Sequence, residues 1–469
     1  MASAARSTLQ HRVWRWHFFA GLMVIPFAVI LAITGAIYLF KPQFDAAVEG
    51  RINARAAPLV GETLPADALV EAGLAAYTGG KFAKLTLPSD AADPTIEIDI
   101  RGEAGPRTLW VDRTTGEVLH DTSTPGRFMN FIKRIHGTLL GGDQGSLVVE
   151  IMASWMIILI ITGVYLWWPR GVPAWRVFVP KFGEGPGGRE TWRKVHGMAG
   201  AWIGGLVLAI LFFGLPWTQV WGDGFNKVKD LAGLKAPGQE WFVTLESGNP
   251  MADHSMHDMH AGMDHGTGSE LWNQGSEAAE VGVQSASAGG STIRALSLEE
   301  VLLAAKPERY APPVEVQPPR GENGVWTIRS LAASRPDRVT VHHDRWTGDE
   351  IMRIEFTDHN PVDRFMALGV AFHEGALFGW LNQLVGVIAT LGVILLSVTG
   401  GIMWWRRRPK GRLGTPPMPG DKRIAAGVIV VIAVLCVFLP MAGVTLVAAL
   451  LVDALISGGS RLLRRGKPA

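Results

Sequence analysis

One plan is shared by two stretches of the chain, HGTLLGGDQGSLVVEIMASWMIILIITGVYLWW (His136–Trp168) and HEGALFGWLNQLVGVIATLGVILLSVTGGIMWW (His373–Trp405). Each stretch begins with a histidine, places Thr-Gly 26 residues after it and reaches a Trp-Trp pair after 31 residues. Between these points lies an apolar run long enough to cross a bilayer, for which a helix needs about 20 residues. The repeat therefore predicts a duplicated membrane protein with a histidine at the entrance of each repeated helix.

The composition also indicates a membrane protein. The chain has 469 residues, of which 48% are hydrophobic and only 18% are charged, and it contains 18 tryptophans. These proportions are too apolar for a soluble protein of this size. The single cysteine, Cys436, excludes an internal disulfide, a cysteine zinc cluster and an iron–sulfur cluster. The net charge is only +2, and we expect no nucleic-acid partner.

Four apolar segments are predicted to cross the membrane as helices. They are Phe18–Phe40, Leu147–Trp168, His196–Trp217 and Leu384–Trp405. The first is too long for a cleaved signal sequence, and we expect an uncleaved anchor. A further apolar region, Ile424–Ile456, contains Leu439-Pro440 near its middle. Because proline breaks the helical hydrogen-bond ladder, a two-helix hairpin is favoured there over one kinked helix.

Clusters of arginine and lysine predict the orientation. They precede the first span, separate the second from the third, follow the fourth and close the chain. Short basic loops stay on the cytoplasmic side. We therefore expect a multi-pass protein of a bacterial inner membrane, surrounded by lipid, with both termini in the cytoplasm and two polar regions in the periplasm.

This topology divides the chain into eight predicted segments. They are 1–40, the N-terminus and first span; 41–130, a periplasmic domain; 131–170, the second span; 171–195, a basic cytoplasmic loop; 196–217, the third span; 218–370, a second periplasmic domain with an insertion at 251–290; 371–408, the fourth span; and 409–469, the hairpin and a basic tail.

The two polar regions also look duplicated. Thr108–Leu119 (TLWVDRTTGEVL) and Arg338–Ile351 (RVTVHHDRWTGDEI) each predict a strand, a tight turn and a second strand. A short helix is predicted before each hairpin, at Pro65–Tyr77 and at Leu296–Ala305, and the latter begins with a Ser297-x-x-Glu300 capping box. The predicted fold is therefore an α-helical integral membrane protein with two small α+β periplasmic domains.

These hairpin turns, the histidine-headed spans and the basic loops together resemble the PepSY-associated transmembrane proteins. That family includes bacterial iron-regulated membrane proteins and ferric-siderophore reductases. The resemblance extends from about His11 to Asp453, and the insertion at 251–290 departs from it. It implies a diheme b-type membrane oxidoreductase with two periplasmic PepSY domains.

The predicted topology itself restricts how histidines could hold haem. His17 and His196 lie at cytoplasmic ends of their spans, and His136 and His373 at periplasmic ends. A haem iron takes two axial imidazoles from opposite faces, so its ligands must share a membrane depth. We therefore expect two b-type haems, one bound by His17 with His196 and the other by His136 with His373.

Plainer interpretations remain open for these residues. A single histidine near a membrane surface is usually an interfacial polar residue, and the repeated Thr-Gly could serve helix packing as readily as line a haem. His11 is the best substitute ligand should His17 not serve. Glu150 and Asp453 are expected to be polar anchors at the membrane edges, with a proton-linked role as the alternative.

The insertion contains a tract of histidines and methionines, whose imidazole and thioether groups suit copper. Its candidate ligands are His254, Met256, His257, Met259, His260, Met263 and His265. We expect this tract to capture copper or another transition ion, and its Gly-, Ser- and Ala-rich surroundings leave an inert linker as the alternative.

The expected function is transfer of electrons across the membrane to a periplasmic ferric siderophore, so that iron is released as Fe(II). No catalytic side chain is required, because bound haem carries the electrons. No nucleotide- or flavin-binding fingerprint occurs, so the electron donor should be a quinol or another redox protein. The alternatives are reduction of copper or another metal, a non-redox PepSY regulator, and a siderophore permease.

Overall fold

The computed structural model describes residues 2–59, 61–168, 189–238, 240, 243–248, 294–409, 414 and 426–465. The His/Met tract and most of the predicted loop at 171–195 lie outside these residues. The described residues form a bundle of apolar helices and one antiparallel sheet.

The chain is built from two halves with the same order of elements. The first half comprises α1 (Ala2–Tyr38), α2 (Lys41–Asn53), α3 (Ala66–Ala76), β1 (Lys81–Thr86), β2 (Thr95–Gly102), β3 (Gly105–Asp112), β4 (Val118–Ser123), α4 (Phe128–Thr138) and α5 (Gly142–Trp167). The second half comprises α6 (Arg189–Gly214), α7 (Gln219–Leu231), α8 (Leu298–Ala305), β5 (Val314–Gln317), β6 (Trp326–Ser330), β7 (Val339–His343), β8 (Glu350–Glu355), α9 (Pro361–His373) and α10 (Trp380–Arg407). Helices α11 (Ala426–Phe438) and α12 (Pro440–Arg465) follow.

Helices α1, α5, α6 and α10 are long and apolar enough to cross a membrane. They pack in a closed ring, in which α1 contacts α5, α5 contacts α6, α6 contacts α10 and α10 contacts α1. The four predicted crossing helices are thereby confirmed as apolar helices. They extend beyond the predicted spans: α1 begins at Ala2 and α6 at Arg189. Hydropathy detects only the apolar part of a helix, and here polar residues continue the helix beyond that part.

His136 and His373 lie on short helices of their own, not within the crossing helices. Leu139 and Leu140, both with positive φ, separate α4 from α5. Two glycines with positive φ, Gly375 and Gly379, separate α9 from α10. These turns place each histidine on a helix separate from the crossing helix that follows it.

The polar regions form one sheet that joins both halves. Its eight strands run in the order β4-β3-β2-β1-β5-β6-β7-β8, and every neighbouring pair is antiparallel. At the seam, Leu85 of β1 pairs with Val316 of β5. Helices α3 and α8 cover one face, where Leu85, Ile98 and Val316 are fully buried in a shared core. The two predicted α+β regions therefore share one sheet.

Both predicted hairpin turns are present and are built alike. The Asp112 carboxylate accepts hydrogen bonds from the backbone of Thr114 and Thr115, and Asp344 accepts from Trp346 and Thr347. Each turn ends on a glycine with positive φ, a conformation that glycine adopts without steric strain. The predicted capping box is also present at the start of α8.

The chain bends sharply between α11 and α12. A Cβ on Gly443 would lie 3.0 Å from Cβ of Cys436, although residues seven apart in a straight helix are separated by about 10 Å. Leu439 at the bend is fully buried, and the Phe438 carbonyl accepts a hydrogen bond from the Trp221 indole on α7. The bend at Leu439-Pro440 therefore forms the tip of a helical hairpin docked on α7.

Candidate functional site

The four predicted histidines form two pairs, and each pair takes one residue from each half. His17 on α1 faces His196 on α6 with ring centres 6.4 Å apart. His136 on α4 faces His373 on α9 with ring centres 6.2 Å apart. We call His136 and His373 the sheet-side pair, because α4 and α9 follow the last strands of the two halves. We call His17 and His196 the far pair.

Both separations suit two imidazoles on one metal ion. A metal–imidazole bond is about 2 Å long, and with about 1 Å from nitrogen to ring centre, two rings on one ion lie about 6 Å apart. The rings in each pair are inclined at 88° and 68°, so they do not stack face to face. Each pair therefore has the spacing expected of two imidazoles that would share one metal ion.

The two pairs lie at different levels of the bundle. Thr34, which contacts His136, stands 17 residues after His17 on the same helix. At 1.5 Å per residue, this places the two levels about 25 Å apart along α1.

In the far pair, each ring is fixed by the threonine of a Thr-Gly step. His17 Nδ1 lies 2.9 Å from Thr162 Oγ1, and His196 Nδ1 lies 2.9 Å from Thr399 Oγ1. Each hydroxyl donates its own hydrogen to a carbonyl one turn earlier in its helix. The hydroxyl oxygen is therefore the acceptor, and the imidazole Nδ1–H is the donor.

In the sheet-side pair, the two rings have different acceptors. His136 Nδ1 lies 3.1 Å from Thr34 Oγ1, and the Thr34 hydroxyl in turn donates to the Ile30 carbonyl. His373 Nδ1 lies 2.7 Å from the Ile210 carbonyl. Because a carbonyl only accepts, His373 also carries its hydrogen on Nδ1.

These bonds select one tautomer for all four histidines. A neutral imidazole with its hydrogen on Nδ1 has a lone pair on Nε2, which is the form that binds a metal. Histidine ligands in metal sites usually donate the other ring N–H to such an acceptor. The hydrogen bonds thus leave each Nε2 available as a ligand.

Glycines allow the crossing helices to approach three of the rings closely. A Cβ on Gly163 would lie 3.2 Å from His17, one on Gly35 would lie 3.1 Å from His136, and one on Gly214 would lie 3.0 Å from His373. The fourth step, at Gly400, is looser. At three rings, a glycine thus sets how near the crossing helix lies to the histidine, and at two of them this glycine directly follows the anchoring threonine.

Charged residues connect the sheet-side pair to the sheet. Glu374, next to His373, bonds Arg335 at 2.8 Å in the turn between β6 and β7. Burial, with Arg335 nearby, lowers the pKa of Arg338 to about 10. On α4, burial lowers the pKa of Lys133, which the nearby Glu374 opposes. The sheet is therefore tied by charges to the helices that carry this pair.

Three other titratable residues singled out in the sequence lie away from these pairs. Glu150 is fully buried and accepts hydrogen bonds from the Val220 and Trp221 backbone at the start of α7. This geometry fits the polar anchor expected of it. His11 is exposed, and the side chain of Asp453 lies outside the described residues.

The candidate copper ligands at 254–265 lie outside the described residues. Over the part of the chain that the structure covers, no group of three or more His, Cys, Asp or Glu side chains could hold a metal ion. The two pairs supply two imidazoles each, which suits an iron whose remaining ligands come from a porphyrin.

Four residues that contact the rings were not predicted from the sequence, namely Thr34, Gly35, Ile210 and Gly214. Thr34-Gly35 in α1 has the same dipeptide as the repeated steps, and this signal was present in the sequence. The Ile210 carbonyl has no sequence signal, because any residue could supply it.

The family model described as the PepSY-associated TM region matches residues 14–407. This match includes all four histidines, the sheet, α5, α6, α10 and most of α1. A comparison with curated proteins finds no match.

Proposed function

The chain belongs to the PepSY-associated transmembrane family, and we propose that it is a diheme b-type oxidoreductase of the bacterial inner membrane that reduces a periplasmic ferric siderophore. His17 and His196 would hold one haem, and His136 and His373 the other. The observation that carries this proposal is the pairing of four histidines with Nδ1 committed to an acceptor and ring centres 6.4 and 6.2 Å apart.

Bound haem would supply reversible one-electron carriage, which no side chain in the site offers. The protein's own contribution is positioning. Two levels about 25 Å apart on α1 would place the two haems towards opposite faces of a hydrocarbon layer of about 30 Å. The apolar ring of α1, α5, α6 and α10 would keep water away from the path between them.

The sheet-side pair would be the exit for electrons. It lies next to the sheet, and the basic flanks of the crossing helices favour a periplasmic location for that sheet. Ferric iron is held by hard oxygen ligands far more tightly than ferrous iron, so one electron loosens the chelate. No hydrolytic group is then needed on the protein. A quinol or a cytoplasmic redox protein would reduce the far pair's haem.

The His/Met tract favours a second candidate substrate, because thioether and imidazole ligands suit copper. A cupric reductase would use the same haems and the same exit. Deletion of residues 251–265 should leave both haems bound and weaken Cu(I) binding. Unchanged Cu(I) affinity would favour the linker interpretation.

Visible spectroscopy and reoxidation test the proposal together. The purified protein should show Soret and α bands of low-spin b-type haem, and the dithionite-reduced form should be reoxidised by a ferric hydroxamate with Fe(II) trapped by a ferrous chelator. His373→Ala should abolish reoxidation while the far haem stays reducible. Reoxidation only by a cupric salt would move the substrate to copper. A colourless full-length protein would favour the regulator or the permease.

A further inference from the structure

The four histidine anchors are not equivalent, although the two halves are repeats. Three rings donate to a threonine hydroxyl at 2.9, 2.9 and 3.1 Å. The fourth, His373, donates to the Ile210 carbonyl at 2.7 Å, the shortest of the four bonds.

A pair of compensating residues accounts for this difference. Phe213 precedes Gly214 in α6, as Thr34 precedes Gly35 in α1. Its ring lies against Gly369, where any side chain would overlap it, four residues before His373. The equivalent residue before His136 is Ile132. The first half thus combines a small residue on the crossing helix with a large one on the histidine helix, and the second half reverses them.

The exchange removes the hydroxyl from the His373 anchor. A phenylalanine offers no acceptor, so the ring donates to the carbonyl three residues before Phe213. In the first half, the corresponding carbonyl, that of Leu31, also bonds the His136 ring, but the ring shares its hydrogen between this carbonyl and the Thr34 hydroxyl.

The acceptor matters because it changes how strongly the ligand donates. A hydrogen bond from the non-ligating ring N–H raises the basicity of the ligating nitrogen. A more basic axial ligand favours ferric over ferrous iron and lowers the reduction potential. A short bond to a carbonyl should have a larger effect than a longer bond to a hydroxyl.

Building on the proposed function, we infer that Phe213 and Gly369 are positioning residues. Their packing directs the His373 hydrogen bond to the Ile210 carbonyl and thereby lowers the reduction potential of the sheet-side haem. A lower potential at the exit increases the driving force available to a ferric acceptor.

The direct test compares Phe213→Thr with Phe213→Val, because valine has nearly the shape of threonine but lacks its hydroxyl. Both remove the ring, and only threonine supplies a hydroxyl to His373. In potentiometric titrations of the full-length protein, Phe213→Thr should raise the sheet-side potential relative to Phe213→Val. A tenfold change in the reduction equilibrium corresponds to about 59 mV for one electron. The reduction potential of the haem at the far pair should not change, and it serves as the internal reference. Equal sheet-side potentials in the two variants would overturn the inference.

A reciprocal exchange covers the case in which Phe213 variants do not fold. Thr34→Phe combined with Ile132→Gly should leave His136 with the Leu31 carbonyl as its sole acceptor and lower the sheet-side potential. An unchanged or raised potential would contradict the inference. A wild-type protein without haem would instead overturn the proposed function, so the two failures are distinguishable.

Discussion

In each of the four histidines, Nδ1 donates a hydrogen bond to a neighbouring oxygen atom. That bond leaves Nε2 available to bind a metal. Thr162, Thr399 and Thr34 each accept from Nδ1 because their own hydrogen is used inside the helix. Such residues act through the histidine and would not touch a substrate.

Alanine substitution of the histidines should reveal the pairs. His136→Ala and His373→Ala should each lose the same haem, and His17→Ala and His196→Ala the other, since one missing axial ligand leaves a b-type haem weakly held. Haem quantification and spectra of the four variants measure this. Loss of one common haem in His17→Ala and His136→Ala would contradict the assigned pairs.

A glycine beside the sheet-side pair offers a matched comparison on one helix. Gly214→Val should disturb the His373 ring, because even a Cβ would lie 3.0 Å from its Cε1. Gly205→Val is the control, since a Cβ there meets nothing within 4 Å. The sheet-side α band should shift or disappear only in Gly214→Val, and equal spectra in both variants would show that the close approach is unimportant.

The hairpins show how a short element is stabilised by one carboxylate. Asp112 closes its turn and also accepts from the Ala57 backbone at 2.7 Å, and Asp344 likewise accepts from the Gly248 backbone at 3.0 Å. Burial alone would raise the pKa of Asp112, but the hydrogen bonds from Thr115, Ala57 and Thr114 lower it.

Asp112→Asn should therefore destabilise the sheet by about 1–3 kcal/mol at neutral pH. Since the folded-state pKa of Asp112 is lowered, this contribution is present above the ordinary aspartate pKa and is lost as the pH falls through the lowered value. Melting temperatures of wild type and variant should differ at pH 7 and converge in acid. A difference that persists unchanged in acid would rule out the carboxylate charge as its source.

The C-terminal hairpin depends on close contact at its tip. Gly443→Leu should force the two helices apart, because a Cβ there already lies 3.0 Å from Cβ of Cys436. Cys436 is the only cysteine, so its labelling by a membrane-permeant maleimide reports on this contact directly. Labelling should be faster in Gly443→Leu than in wild type, and Gly427→Leu, which meets nothing within 4 Å, should match wild type.

For the molecule as a whole, the duplication matters because neither half is complete. Every histidine pair takes one member from each half, and the two halves of the sheet are joined at the β1–β5 seam. At this seam, Lys84 bonds Glu315 at 2.5 Å and Asp99 at 3.2 Å. Burial would lower the pKa of Lys84, but these two carboxylates raise it, so the charged pair is maintained.

Lys84→Met should weaken the seam by about 3 kcal/mol, because it leaves two largely buried carboxylates without their cation. The control is Arg107→Met, which breaks a more exposed pair with Asp121 on the same sheet and should change stability by less than about 1 kcal/mol. Thermal unfolding followed by fluorescence measures both. Equal effects would show that the seam does not depend on Lys84.

Much of this architecture could be predicted from local sequence. Apolar length predicts the crossing helices, and Asp-x-x-x-Gly predicts each hairpin, because one residue's chemistry decides each turn. The depth of each span also predicts which histidines can meet, and the structure brings those residues together.

Only the tertiary structure determines the contacts between distant parts of the chain. Leu85 pairs with Val316 across the seam, and His373 meets the Ile210 carbonyl rather than a threonine. Periodicity and hydropathy describe one element at a time, so they cannot specify which element lies beside it. Every backbone carbonyl is a potential acceptor, and only the packing of Phe213 against Gly369 selects this one.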